Sequence, residues 1–200
     1  MVASLSAVAA LRRADREFSA RLELVTDSDW DEQSACDDWS VGDLVDHVIG
    51  GNVFTTEILG GSAPSVAMEA AIAGANSGAT RRRDAYRESA REMLRCVTAD
   101  GVLDQSYHHV AGTLLGAEIA ALRTEDITLH AWDLANSIDG DENLEPALVE
   151  FVWERMSLRA HELEATGRYG TGSRGGLGDG VSLQMRLLDI TGRYPDRSLR

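Results

Sequence analysis

Leu5, Val8, Leu11, Phe18, Leu22 and Val25 recur at the three-to-four-residue spacing that lines one face of a helix, so residues 4 to 26 predict an amphipathic helix. A polar stretch from Asp27 to Asp38 interrupts the pattern. Ser40 followed by Asp43 has the form of a capping box, in which a hydroxyl accepts from first-turn amides. It predicts a second helix from Val41 to about Leu59, closed by Gly60, Gly61 and Pro64. Helical spacing resumes from Val66 to about Ala99. Gly74, Asn76, Ser77 and Gly78 interrupt it and leave the stronger part at Thr80 to Val97. The most regular stripe, Leu115, Ile119, Leu122, Leu129 and Leu134, predicts a helix from about Leu114 to Ser137, with Gly140 beyond its end. Further helices are expected from Pro146 to about Ala165 and from Val181 to Thr191.

No alternating run of strand type stands out, and Tyr107-His108-His109 reads as a loop. The glycine-dense stretch Gly167 to Gly180 lacks both the strand-then-helix context and the Gly-Lys-Ser ending of a phosphate-binding loop, and reads as a flexible connection. The pattern therefore predicts an all-α architecture, an up-and-down four-helix bundle with additional C-terminal helices. A chain of 200 residues with 44% hydrophobic content can bury one substantial core, so a single domain over residues 1–200 is expected.

Charge narrows the partners. Nineteen basic against 33 acidic residues give −14, which repels phosphate backbones and anionic lipid surfaces, so nucleic acid and membrane are not expected partners. The one dense basic run, Arg81-Arg82-Arg83, reads as the solvated face of a helix. The apolar start, Val2 to Leu11, runs directly into Arg12 and Arg13 without a cleavage pattern, so no signal peptide is expected. Cys36 and Cys96 form no CxxC pair, which fits a reducing cytoplasm and assigns both thiols to packing. Apolar residues outside the main stripes are compatible with a homodimer.

The chemistry concentrates in two helical segments. Asp126 and His130 stand four residues apart, on one helical face, and both can reach a single ion. His47 must come from a neighbouring helix. Two imidazoles and a carboxylate fill three positions of a zinc shell and leave one open, as catalytic zinc sites do; the same ligands suit a non-haem Fe(II) triad. Asp133 follows His130 by three residues and can orient an imidazole from behind, or be a surface carboxylate or helix cap. Gly50 and Gly51 lie on the face of His47 and either make room for a ligand or permit close helix packing. Glu125 points away from His130 on an ideal helix; His108, His109 and His161 are expected to be exposed, with His108 or His109 reaching at most the pocket mouth. Trp30, Trp39, Trp132 and Trp153 read as core anchors.

The string Ser34-Ala-Cys-Asp-Asp-Trp-Ser-Val-Gly-Asp-Leu-Val-Asp-His-Val-Ile-Gly-Gly-Asn52 resembles the first metal-ligand segment of the mycothiol-dependent maleylpyruvate isomerase group, within the DinB-like superfamily. Leu122-Arg-Thr-Glu-Asp-Ile-Thr-Leu-His-Ala-Trp-Asp-Leu-Ala135 resembles its second, and Arg186-Leu-Leu-Asp-Ile-Thr-Gly-Arg-Tyr-Pro195 is similar to the ending of a shorter metal-binding subfamily. The resemblance implies a DinB-like helical bundle over residues 1–200 and a metal, usually zinc, with Fe(II) or Ni(II) as alternatives, held by His47, Asp126 and His130. The family's carboxylate is glutamate, so aspartate here shortens the reach by one methylene. The chain is shorter than the isomerase, and the separate carboxy-terminal thiol-binding domain is not expected in it. The implied activity is that of an enzyme in which mycothiol or a similar low-molecular-weight thiol, activated at the metal, attacks a small-molecule electrophile, giving S-transfer or isomerisation, with no protein nucleophile required. Two alternatives use the same site: a thiol-independent metal-dependent hydrolase, cyclase or lyase, and a non-catalytic metal-dependent small-molecule-binding protein.

Overall fold

A computed structural model of the chain describes residues 5–76, 81–163, 169, 177 and 180–193. The chain divides into two compact units, residues 6–142 and residues 143–200 with 1–5.

In the larger unit, α1 (Ala7–Leu22), α2 (Val41–Leu59), α4 (Arg82–Val97) and α5 (Gly116–Ser137) close a ring. Each of α1 and α2 packs on both α4 and α5, and α3 (Pro64–Ala75) lies along α2. The architecture is all-α, as the hydrophobic pattern predicts. The capping box forms: Ser40 Oγ accepts from the Asp43 amide at 3.1 Å, and Asp43 Oδ2 accepts from the Ser40 amide at 2.9 Å, which fixes where α2 begins. Pro64 closes the preceding turn and also opens α3, where its missing N–H costs nothing.

α5 is buried over most of its circumference, with Ile119, Ile127, Leu129, Trp132 and Leu134 in the core. Its buried hydroxyls are satisfied within the helix: Thr124 donates to the Ala120 carbonyl at 2.8 Å and Thr128 to the Thr124 carbonyl at 2.7 Å. A polar helix can therefore cross the interior, which carries His130 and Asp133 away from solvent. Phe18 of α1 packs on Tyr86 of α4, ring centres 4.9 Å apart, and the Tyr86 hydroxyl donates to Asp15 Oδ1 at 2.8 Å.

Two expectations change. The segment read as a loop holds an antiparallel hairpin, β1 (Ser106–His109) and β2 (Gly112–Leu115), with Ser106 opposite Leu115 and His109 opposite Gly112. Its strands are four residues long and mostly exposed, so little apolar alternation marks them. In the basic run Arg81 is exposed, but Arg82 and Arg83 are not a solvated face. Arg82 and Arg83 both lie over the Trp30 ring, 5.4 and 5.3 Å from its centre. Arg82 pairs with Asp46 of α2 at 2.8 Å, and Arg83 donates to the carbonyls of Leu22 and Val25. The ion pair to Asp46 ties the start of α4 to α2, the carbonyl acceptors tie it to the end of α1, and cation–π stacking holds Trp30 against it.

The smaller unit contains α6 (Pro146–Met156), a 3-10 turn (Ser157–Arg159), α7 (Ala160–Leu163) and α8 (Leu183–Ile190). α6 packs on α8, Leu148, Val152, Met156, Leu187 and Leu188 are buried, and the Leu144 amide donates to Gln184 Oε1 at 2.9 Å. The expected flexible connection at 167–180 lies, apart from residues 169, 177 and 180, outside the described residues. Among the described residues no helix is long and apolar enough to cross a membrane.

Candidate metal centre

His47 stands in the second turn of α2, and Asp126 and His130 one turn apart on α5, at the contact between the two helices. Oδ1 of Asp126 faces both imidazoles, 3.6 Å from Nε2 of His47 and 3.5 Å from Nε2 of His130. These separations exceed the ~2.7–3.2 Å of a good N–H···O bond. They match instead the spacing of ligand atoms around one small cation, since tetrahedral bonds of ~2.0–2.1 Å set neighbouring ligand atoms about 3.3 Å apart. One donor atom from each of the three residues lies within 4.8 Å of the others. The donor set, two borderline nitrogens and one hard oxygen, suits Zn(II) and also Fe(II) or Ni(II).

The surroundings fix these side chains. His130 Nδ1 lies 2.9 Å from Asp133 Oδ2, so with Nδ1 donating, Nε2 presents its lone pair toward Asp126. Arg123 pairs with the other oxygen of Asp126, Oδ2, at 2.5 Å. Burial alone would raise the carboxyl of Asp126, but the charges of His130 and Arg123 hold it well below the usual carboxylate range. Burial likewise opposes charge on His130, while Asp126 and the bonds to Asp133 and Cys36 keep its imidazole well above its usual range. A cation at Nε2 therefore competes with a proton for that nitrogen.

The loop before α2 completes the site. Gln33 Nε2 lies 3.3, 3.0 and 3.0 Å from the carbonyl oxygens of Ser34, Cys36 and Trp39 and shares its two hydrogens among them, and the Ala35 amide donates to Ser137 Oγ of α5 at 2.9 Å. Asp38 takes φ 63°, a left-handed conformation that aspartate adopts more readily than most residues, and turns the chain into Trp39. The Trp39 ring then lies 4.8 Å from that of His47 and 6.1 Å from that of His130. Cys36 donates to Asp133 Oδ2 at 3.4 Å, at the edge of His130 that faces away from Asp126.

Sequence reasoning brings together His47, Asp126, His130 and Asp133, and the structure has all four in one cluster. It missed Cys36, Trp39 and Arg123. Only Arg123 left a signal, its i,i+3 spacing to Asp126. Gly50 and Gly51 do not open a ligand space: a Cβ on Gly50 would meet the Ala71 carbonyl oxygen at 3.0 Å, and one on Gly51 would fall 2.1 Å from Arg123 Nη1. Glu125 is buried outside the cluster, and His161 is largely exposed. His108 is exposed in the hairpin, while the ring of His109 lies 5.4 Å from that of Phe54.

A helical ring with two histidines and an aspartate converging between α2 and α5 defines a bundle protein with one polar centre at a helix–helix contact. The chain belongs to the family of the mycothiol maleylpyruvate isomerase N-terminal domain, whose model matches residues 11–135, a span that contains every residue of the cluster. It is 30% identical over 137 residues to two uncharacterised proteins of Mycobacterium tuberculosis, from strains CDC 1551 and H37Rv, covering 68% of this chain and 70% of each relative. Its fold is similar to the crystal structures of the mycothiol-dependent maleylpyruvate isomerase and of a histidine-to-alanine mutant of it. Both have a TM-score of 0.65, with 16% and 15% identity, covering 83% of this chain and 72% of theirs.

Proposed function

We infer that this protein is a metal-dependent enzyme that activates a low-molecular-weight thiol of the mycothiol type for attack on an electrophilic small molecule, with S-transfer or thiol-assisted isomerisation as the outcome. The observation that carries this reading is the convergence of His47 Nε2 and His130 Nε2 on a single oxygen of Asp126 at cation-ligand rather than hydrogen-bond separation. The family supports the thiol, since its name joins mycothiol to isomerisation.

His47, Asp126 and His130 would hold the ion, with Zn(II) first in order and Fe(II) or Ni(II) next. A bound divalent cation deprotonates a coordinating thiol at neutral pH, against a free-thiol pKa of ~8.5. Asp133 keeps the His130 ring in the orientation and tautomer that aim Nε2 at the ion. Arg123 fixes the carboxylate of Asp126. The Trp39 ring packs beside both imidazoles. His47 and Asp126 keep 40% and 33% of their side chains accessible, so the cluster is open to a thiol and its partner. No side chain of the protein has to act as the nucleophile.

The test is metal content and thiol-dependent turnover in the native chain and in His130→Ala. About one ion per chain, lost in the variant together with turnover, supports the reading. Full thiol-dependent turnover after metal removal sinks it. Turnover that needs the metal but no thiol points instead to the hydrolase, cyclase or lyase alternative.

A further inference from the structure

Arg123 stands one helical turn before Asp126, and its guanidinium is buried against α2. Its Nε donates to Asn52 Oδ1 at 3.0 Å, Nη2 to the Val48 carbonyl at 2.5 Å, and Nη1 to Asp126 Oδ2 at 2.5 Å. α2 makes way for it at a single position. A side chain at Gly51 would place its Cβ 2.1 Å from Nη1 and 2.6 Å from the guanidinium carbon. Two of the three bonds join α5 to α2. The third goes to the carboxylate that faces the histidines.

We propose that Arg123 is a positioning residue that divides the two oxygens of Asp126, committing Oδ2 to the guanidinium and leaving Oδ1 alone for the cation between His47 and His130. The proposal rests on the metal-centre reading and deepens it. A chelating carboxylate would have to bring Oδ2 as close to the ion as Oδ1, and that would pull it out of a short, charge-assisted bond whose donor is anchored twice elsewhere. One-oxygen ligation keeps the coordination number low and a position open for a further ligand. The guanidinium also shares the negative charge of the carboxylate, so the ion retains more positive charge toward that ligand, which favours an anionic thiolate over a neutral donor. A lysine at this position would supply the charge without the planar fork that spans Asn52, Val48 and Asp126 at once.

The experiment loads Co(II) into the native chain and into Gly51→Ala, Arg123→Lys and Arg123→Met, and reads the visible d–d absorption and the affinity against a competing chelator. Far-UV circular dichroism follows the fold. The native chain is expected to give the intense bands of four- or five-coordinate Co(II). Gly51→Ala and Arg123→Met are expected to weaken those bands several-fold and to lower affinity by about 10- to 100-fold, with Arg123→Lys between them and the native chain. Gly51→Ala leaves Arg123 in the chain and keeps the test in force if Arg123→Met does not fold. Native-like bands and affinity in folded Gly51→Ala and Arg123→Met would overturn the proposal while leaving the metal centre standing. So would weak six-coordinate bands in the native chain itself. A native chain that binds no Co(II) overturns the metal-centre reading, and this proposal falls with it.

Discussion

Asp133 Oδ2 accepts at once from the imidazole Nδ1 of His130, 2.9 Å away, and from the thiol of Cys36, 3.4 Å away, in a position almost closed to solvent. One buried oxygen therefore sets the tautomer of a candidate ligand. Asp133→Asn keeps an acceptor there but removes its charge, and metal affinity is expected to fall by about 10- to 100-fold with the fold retained. Asp133→Ala leaves both donors without that oxygen and is expected to cost a further ~1–3 kcal/mol of stability. Chelator competition and urea unfolding on the two variants separate these effects; undiminished affinity in Asp133→Asn would sink the orienting role.

The two glycines after His47 make opposite predictions. The Gly50 side of α2 meets the backbone of α3 at Ala71, so Gly50→Ala is expected to lose ~1–3 kcal/mol of stability while leaving the coordination spectrum unchanged. Gly51 faces Arg123, so Gly51→Ala is expected to change the spectrum. Identical spectroscopic effects from the two substitutions would show that the guanidinium is not what Gly51 accommodates.

The helices were legible because each carries a periodic stripe and most carry a chemical boundary. The Ser40–Asp43 box sets the start of α2, and α5 ends where its stripe ends, at Ser137. The grouping of His47, Asp126 and His130 was legible in part because two of its members share one helix at i,i+4 and the third stands near the start of another. What the pattern could not carry was convergence across elements. Cys36 and Trp39 reach the site through a loop held by the side chain of Gln33, and nothing in local spacing marks such a loop. Arg81-Arg82-Arg83 looked solvated because an isolated basic run has that default, whereas Trp30, the Asp46 carboxylate that receives Arg82 and the carbonyls that receive Arg83 lie far away in the chain. The hairpin escaped because strands of four mostly exposed residues leave no apolar alternation to read.

The contact between α1 and α4 predicts a pH dependence separate from the candidate metal centre. Burial raises the carboxyl of Asp15 above its usual value, more than the Tyr86 hydroxyl and the nearby Arg16 and Arg12 lower it. The folded chain therefore holds the Asp15 proton more tightly than the unfolded chain. Its contribution is most favourable below the unfolded carboxyl pKa and declines as pH rises through the raised folded value. Asp15→Asn removes that slope and keeps an oxygen for the Tyr86 hydroxyl. Its stability relative to the native chain is expected to improve between about pH 3 and about pH 7 by urea unfolding. A difference that does not vary with pH would contradict the assignment.

Trp39 offers an optical reading of the centre. The centre of its ring is 4.8 Å from that of His47 and 6.1 Å from that of His130, whereas Trp30 is packed beneath Arg82 and Arg83 and Trp132 is fully buried in α5. A paramagnetic ion such as Co(II) held by His47, Asp126 and His130 would quench the indole beside it most strongly. Titration of the native chain is expected to lose part of its emission up to about one ion per chain, and Trp39→Phe to lose most of that change while still binding the ion by chelator competition. Phenylalanine keeps an aromatic wall over the imidazoles, so affinity should move less than about threefold. Quenching of undiminished size in Trp39→Phe would mean that the ion sits elsewhere. Quenching lost together with binding would instead make Trp39 part of what holds the histidines in place, through its packing on the His47 ring.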